Sequence, residues 1–326
     1  MHRRLVNEAT LDLALWPDGP LLVKAADTGA DPTRPDMEFV RTHRAGAQTV
    51  YLPGSSLKGA LRAHCERIAR TVGGETAARR PRLSCNPLRD DPDGPHYSCN
   101  RRQRRIPPNE STPERLYRES CAICQLFGNQ HMAAHLRTAD AYPTAPPRAE
   151  QRTSVAIDRV HGSVAQGPFN YEVVTEGRFE LRLALRNFSL AQLGLVALAL
   201  RDLADGRLAL GFGKSRGFGR MGLEVAGATF RYPGCTVQDG ELRTLAGAAI
   251  GPADQLHGAG DFPDTARYGF PAPDAAPLPD GRTSADDGWG AAEVTLGADE
   301  AAALTALWRT CVGRWADLVQ AAVAGR

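Results

Sequence analysis

Residues 10–16 alternate apolar and polar, with Leu11, Leu13 and Leu15 on one side, and predict a half-buried strand. A cleaner alternation spans 177–186, where Phe179, Leu181, Leu183 and Leu185 share a side. Helical periodicity follows each of these strands. In the segment LPGSSLKGALRAHCERIAR, Pro53 and Gly54 make a turn and Ser55 or Ser56 caps a helix. Leu57, Leu61, Cys65 and Ile68 then fall on one face of that helix, with Lys58 and Arg62 on another. A second amphipathic helix over 189–205 carries Leu190, Leu193, Leu200 and Leu203 and stops at Gly206. A third, over 299–323, repeats Leu304, Trp308, Cys311, Trp315, Leu318 and Ala322 at alternating spacings of four and three. Such a stripe docks on its own protein or on a partner.

The order strand, helix, insertion, strand, helix, strand predicts an α+β fold with a core of the RRM or ferredoxin-like kind. Periodicity is lost between about 71 and 137, so residues 74–137 read as an insertion within a domain covering 1–235. Residues 236–326 are rich in Pro, Gly and Asp and read as a loop-rich acidic extension ending in the third helix.

Charge sharpens this division. The 326-residue chain has a net charge of +2, yet residues 1–220 hold 32 basic against 23 acidic side chains and residues 221–326 hold 7 against 14. A basic body suits a polyanion partner, although ordinary surface charge would look similar. Three of the 39 basic residues are lysines, Lys24, Lys58 and Lys214, in a chain that otherwise uses arginine. No run approaches the ~20 apolar residues of a membrane span, and Glu8 and Asp12 interrupt the N-terminus before an apolar run builds up, which excludes a secretory signal. The expected compartment is the cytoplasm, where structural disulfides are rare. The seven cysteines must then serve as core residues, metal ligands or reactive thiols.

Cys121 and Cys124 form a CxxC pair, with Cys85 and Cys99 upstream in the same poorly periodic insertion. Four thiolates there suit a tetrahedral Zn²⁺ site, which would supply the order that hydrophobic packing does not. His96 could replace Cys99, and Cys65 could join if its helix faced the site. On its apolar face Cys65 reads as a core residue, as do Cys235 and Cys311. A redox pair would need a strand–helix context that this CxxC lacks. Residues 79–105 also contain eight arginines, among them Arg79, Arg80, Arg82, Arg101, Arg102, Arg104 and Arg105, which could clamp RNA, touch a neighbouring subunit or remain solvated.

Two further elements carry binding chemistry. The start of the first helix joins backbone N–H groups to Ser55, Ser56, Lys58 and Arg62, a set able to hold phosphate or simply to cap a helix. The loop GFGKSRGFGR offers close backbone approach through Gly211, Gly213, Gly217 and Gly219, cations at Lys214, Arg216 and Arg220, and rings at Phe212 and Phe218. It is no nucleotide-binding P-loop, since position 208, where that motif needs glycine, is Leu. Cations interleaved with aromatics suit single-stranded RNA, and a plain hairpin loop is the alternative.

LPGSSLKGALR paired with GFGKSRGFGRM resembles the RAMP (repeat-associated mysterious protein) superfamily of CRISPR systems, and is most similar to backbone subunits of type III effector complexes. CAICQLFGN at 121–129 and SVAIDRVHG at 154–162 agree, and the resemblance covers roughly 5–230. It implies a modified RRM that assembles head to tail with copies of itself or related subunits along a CRISPR RNA, together with large and small subunits. Guide contacts would fall on Ser55, Ser56, Lys58 and Arg62, and on Gly213, Lys214, Arg216, Phe218 and Arg220. Residues 148–172, with Arg159, would form a thumb that displaces bases of a bound target RNA. The zinc-binding insertion ending in CxxCxLFG is also a feature of such relatives. Catalytic members use an aspartate between the first strand and the PGSS turn for target cleavage dependent on Mg²⁺ or Mn²⁺. Asp36, followed by Phe39, Val40, Arg41 and Gly46, fits that position best, with Asp31 next and Asp27 in the same loop. The alternatives are a non-catalytic guide-binding subunit and a guide-processing endoribonuclease, for which His43 and His64 are the nearby histidines.

Overall fold

The computed structural model describes residues 4–25, 35–73, 83–89 and 97–324. The chain opens with β1 (Glu8–Pro17), where Leu11, Leu13 and Leu15 are buried as the alternation predicts. A hairpin of β2 (Arg41–Arg44) and β3 (Ala47–Val50) leads into α1 (Gly54–Gly73). Short helices α2 (Cys99–Arg104), α3 (Pro113–Arg118) and α4 (Ala122–Phe127) occupy the insertion. The chain returns through β4 (Leu136–Thr138) and β5 (Tyr142–Pro143) and projects a long hairpin, β6 (Arg148–Ile157) and β7 (Val164–Glu176). Then come β8 (Phe179–Arg186), α5 (Leu190–Ala204) and β9 (Met221–Pro233). Small sheets follow, built from β10 (Cys235–Gln238), β11 (Glu241–Thr244) and β12 (Ala249–Pro252), and from β13 (Gln255–His257) and β14 (Ala275–Pro277). The chain ends with β15 (Ala285–Asp286), β16 (Ala291–Gly297) and α6 (Ala301–Ala324).

The main sheet has the order β15-β16-β9-β1-β8-β4, with β5 also paired to β8, and every pairing is antiparallel. The β1–β8 register sets Leu11 opposite Leu183, Leu13 opposite Leu181 and Leu15 opposite Phe179. One face of the sheet is therefore continuously apolar, and it joins the buried side chains of α1 and α5 in a single core. Each such leucine contributes about 1.5–3 kcal/mol by leaving water. The opposite face is solvated and carries ion pairs, Arg182 with Asp12 at 3.0 Å and Arg186 with Glu8 at 2.7 Å.

Helix α5 is buried nearly all round, which needs a cover on each side. The second cover is α6, and Gly194 is the point of closest approach: a Cβ there would sit 2.1 Å from the Cys311 carbonyl oxygen. The α6 stripe thus docks on its own protein, with Leu304, Leu307, Cys311 and Trp315 buried. Ser189 and Gln192 close a capping box at the start of α5. Deeper tethers hold the layers in register. His64 on α1 meets Asp202 on α5 with Nε2 2.7 Å from Oδ2, and Asp274 accepts the N–H groups of Leu190 and Gly260.

The segment after 235 differs from the loop-rich extension expected of it. It adds β15 and β16 to the main sheet and α6 to the helical layer, so it completes the same core. Its strands are short and are separated by glycine and proline turns, which is why composition hides them.

Candidate nucleic-acid interface and metal centre

Cys121 stands at the N-cap of α4, and its sulfur accepts the Cys124 N–H at 3.4 Å, so a CxxC at a helix start gathers two thiols. Cys99 opens α2, and Cys85 arrives from the segment 83–89 that runs beside α1 and α4. All four thiols are buried, with sulfurs within 4.8 Å of one another and Cys85 to Cys124 at 3.6 Å. A tetrahedral ion with bonds of about 2.3 Å to sulfur needs S···S edges of about 3.8 Å. The quartet fits that requirement, so the cluster can hold a metal ion such as zinc.

Donors surround the sulfurs, and they favour negative charge most at Cys99. The Cys121 N–H donates to Cys99 Sγ at 3.3 Å, Arg102 Nη2 donates to the same sulfur at 3.6 Å, and Arg62 Nη2 donates to Cys124 Sγ at 3.8 Å. Hydrogen bonds from Cys121, then Cys124 and Cys85, with the charge of Arg102, hold the Cys99 thiol far below its ordinary range. The other cysteines stay out of the cluster. Cys65, Cys235 and Cys311 are buried in the core, and burial pushes the Cys235 thiol up to about 11 and that of Cys311 to about 12. His96, Arg79, Arg80 and Arg82 lie outside the described residues.

A second assembly forms where the β6–β7 hairpin leaves the body. Asp36 is exposed, and its Oδ2 accepts the Asn170 N–H at 2.8 Å. Its neighbour Met37 bridges Tyr171, donating to the Asn170 carbonyl and accepting from the Glu172 N–H. Phe39 N–H reaches Glu172 Oε2 at 3.1 Å, and the Arg41 guanidinium clasps the same carboxylate through Nη1 at 2.7 Å. Residues 36–41 are thus fastened to β7 by backbone and charge together. Asp31 and Asp27 lie outside the described residues.

The glycine-rich loop meets the same root. Phe218 is buried and its ring packs 5.6 Å from that of Tyr171, whose hydroxyl lies 2.6 Å from Ser154 Oγ on β6. Phe218 is therefore a packing residue in this fold, whereas Phe212 is 37% exposed, with the Arg216 guanidinium 5.1 Å from its ring centre. Gly213 and Gly217 take left-handed φ of 73° and 81° on either side of Lys214, Ser215 and Arg216, which turns both cations outward. Arg220, also exposed, pairs with Asp18 at 2.8 Å. The loop is welded to the segment after β1 by Phe212 N–H to Leu22 O and Gly219 N–H to Pro20 O.

Helix α1 begins at Gly54, ahead of both serines, so neither is its N-cap. The Gly54 N–H donates to Asp140 Oδ1 at 2.8 Å, so a distant carboxylate caps the turn and leaves Ser55 and Ser56 exposed. Gly54 is required there, since a Cβ would sit 2.5 Å from the Thr138 carbonyl oxygen. Lys58 is half-buried, and burial, with Arg62 and Arg137 close by, lowers its pKa, marking a locally positive field. Arg62 faces the other way from its expected role. Its donors reach Glu66, the Gly128 carbonyl and Cys124 Sγ. Arg159 is exposed at the tip of the β6–β7 hairpin, among the exposed Val155, Ile157, Val160 and Val164.

Sequence reasoning missed Asn170, Tyr171 and Glu172 as anchors, Asp140 as the cap of α1, and Arg137 beside Lys58. Each acts across a long sequence separation, and no local spacing marks them.

These features define an α+β protein with an exposed, basic, glycine-rich loop and a four-cysteine cluster able to hold a metal ion. The RAMP superfamily model matches residues 19–222, more than half of the chain, and the chain belongs to that superfamily. Membership makes it a CRISPR-associated, RNA-binding protein. A comparison with curated proteins returned no match. Among the described residues no helix is long and apolar enough to cross a membrane.

Proposed function

We propose that the chain is a backbone subunit of a cytoplasmic type III CRISPR complex, binding guide RNA and cleaving complementary target RNA at regular intervals. The observation that carries this reading is the convergence on one hairpin root: the exposed Asp36 carboxylate sits on the Asn170 N–H, two residues from Glu172, while Tyr171 between them packs on Phe218 of the glycine-rich loop. The strand order β9-β1-β8-β4, with α1 after β1 and α5 after β8, supports an RRM-like or ferredoxin-like core. The open sheet face bears ion pairs, which argues against RNA stacking across the sheet and favours the loop end.

In this reading Ser55, Ser56 and Lys58, at the start of α1, take guide phosphates. Lys214 and Arg216 take others, and Phe212 offers a stacking face. The apolar tip of the hairpin, with Arg159, enters the guide–target duplex and unstacks a base. Asp36 then orients a target ribose 2′-hydroxyl. The 2′ oxygen gives its proton to solvent as it attacks the adjacent phosphorus, the P–O5′ bond breaks with O5′ taking a proton from solvent, and the products are a 2′,3′-cyclic phosphate and a 5′-hydroxyl. Asp36 belongs to no cluster of protein ligands among the described residues. Mg²⁺ is commonly held by one or two carboxylates together with substrate phosphates, and Mg²⁺ or Mn²⁺ bound this way would stabilise charge on the phosphoryl group. In the insertion, four thiolates favour Zn²⁺ as the structural ion.

For guide processing, His64 is buried between Asp202 and Arg67, which leaves His43, exposed on β2, as the histidine that reading would need. The test is a reconstituted complex of this chain, guide RNA and its partner subunits, given complementary RNA. Evenly spaced products that disappear on chelation support the reading. A single cut within a repeat hairpin, or failure to retain guide RNA, overturns it.

A further inference from the structure

Two arginines that the sequence offers to RNA point instead at the four-cysteine cluster. Arg62 Nη2 lies 3.8 Å from Cys124 Sγ, and Arg102 Nη2 lies 3.6 Å from Cys99 Sγ. The two guanidiniums come from different directions, one from α1 and one from α2, and each contacts a different sulfur. Arg62 is held in this pose by Glu66 at 3.0 Å and the Gly128 carbonyl at 3.0 Å. Arg102 donates to the Glu119 carbonyl, while its Nε and Nη1 are buried with no hydrogen-bond partner among the described residues.

That last fact demands a compensating charge. A guanidinium that is both desolvated and short of acceptors is costly unless an anion faces it. A divalent ion with four thiolates carries a net charge of −2, which Arg62 and Arg102 offset, the Glu66 carboxylate beside Arg62 being paired also with Arg70 at 3.0 Å. Backbone N–H groups of Cys121 and Cys124 add neutral donors to two of the sulfurs.

We infer that Arg62 and Arg102 are the counter-cations of the tetrathiolate metal centre, and that Arg62 couples the centre to the guide-binding helix α1. This rests on the metal reading of the cluster proposed above. Arg62 stands one helical turn from Lys58, so a centre that holds Arg62 also fixes the start of α1 against the insertion. Both are positioning residues, acting on the ion through the sulfurs they contact.

The test measures zinc per chain and the rate at which a colorimetric chelator removes zinc from the purified protein. The variants are Arg62→Gln and Arg102→Gln, their lysine counterparts, and Arg104→Gln as an exposed control on the same short helix. Each glutamine variant should release zinc about 10–100-fold faster than the parent. The lysine variants should recover part of the loss, because charge and not shape is the element supplied, and Arg104→Gln should behave as the parent. Lysine restoration separates this role from simple packing, and it remains readable where a glutamine variant folds poorly. A parent protein that binds zinc, with Arg62 and Arg102 variants that release it at the parental rate, would overturn the inference alone. A parent that binds no zinc in a folded state would overturn the metal reading and the inference with it.

Discussion

Asp36 is joined to Asn170 across 134 residues of sequence by a 2.8 Å hydrogen bond from the Asn170 backbone N–H to Asp36 Oδ2. One oxygen is thereby fixed to the root of the hairpin, and in the proposed reading the carboxylate meets the displaced target nucleotide there. Asp36→Asn keeps an oxygen for that N–H and removes the charge. It should lower target cleavage by about 10²–10⁴-fold and leave guide retention unchanged, as read by product ladders and copurified RNA. Full-rate cleavage in this variant, and in Asp31→Ala and Asp27→Ala, would leave a non-catalytic backbone subunit.

The two phenylalanines of the glycine-rich loop should separate stability from binding. Phe218→Ala removes a buried ring packed on Tyr171 and should cost about 3–5 kcal/mol of stability, measured by urea unfolding. Phe212→Ala should leave the unfolding midpoint in place and weaken binding of single-stranded RNA by about 1–3 kcal/mol. Equal effects on stability would contradict the burial difference.

Lys58 and Arg62, one turn apart, should also behave differently. Lys58→Ala should weaken RNA binding evenly across sequences and reduce the salt slope of log K by about 0.7 for a single strand. Arg62→Ala should act first on zinc retention and thermal stability, because its donors face Glu66, Gly128 and Cys124.

Chelation should loosen the insertion before the core. The helices α2 and α4 are short and each begins at a thiol of the cluster, so zinc removal should raise amide exchange over 97–127 while β1, β8 and α5 stay protected. Uniform exchange in both states would argue that the cluster does not organise the insertion.

The His64–Asp202 contact predicts an acid limb. Burial alone would raise the Asp202 carboxyl, but the hydrogen bond from His64, with those of Arg201 and Arg207, outweighs it and holds the group down to about 2. Because the folded value lies below the unfolded one, this stabilisation is present above the ordinary carboxylate range and is lost as pH falls toward 2. Asp202→Asn should be less stable at neutral pH and should show a smaller loss between pH 4 and pH 2, measured by denaturant unfolding.

Local periodicity and short motifs encode a good part of this fold. The alternation in β1 and β8, the apolar faces of α1, α5 and α6, the glycine loop and the CxxC pair were legible because each is set by neighbours within a turn or a strand, while Cys85 and Cys99 were legible by residue type. Tertiary structure decided which way individual side chains of those motifs point. Phe218 turned inward because β7 brings Tyr171 against it, and Arg62 turned to Cys124 because the insertion folds back on α1. Gly54 needed Asp140 for its cap, and the residues after 235 became sheet and helix because β9 left an edge unpaired and α5 a face uncovered. These outcomes depend on contacts between residues dozens to more than a hundred positions apart, whose energies arise only when the chain has closed on itself, so no spacing along the sequence records them.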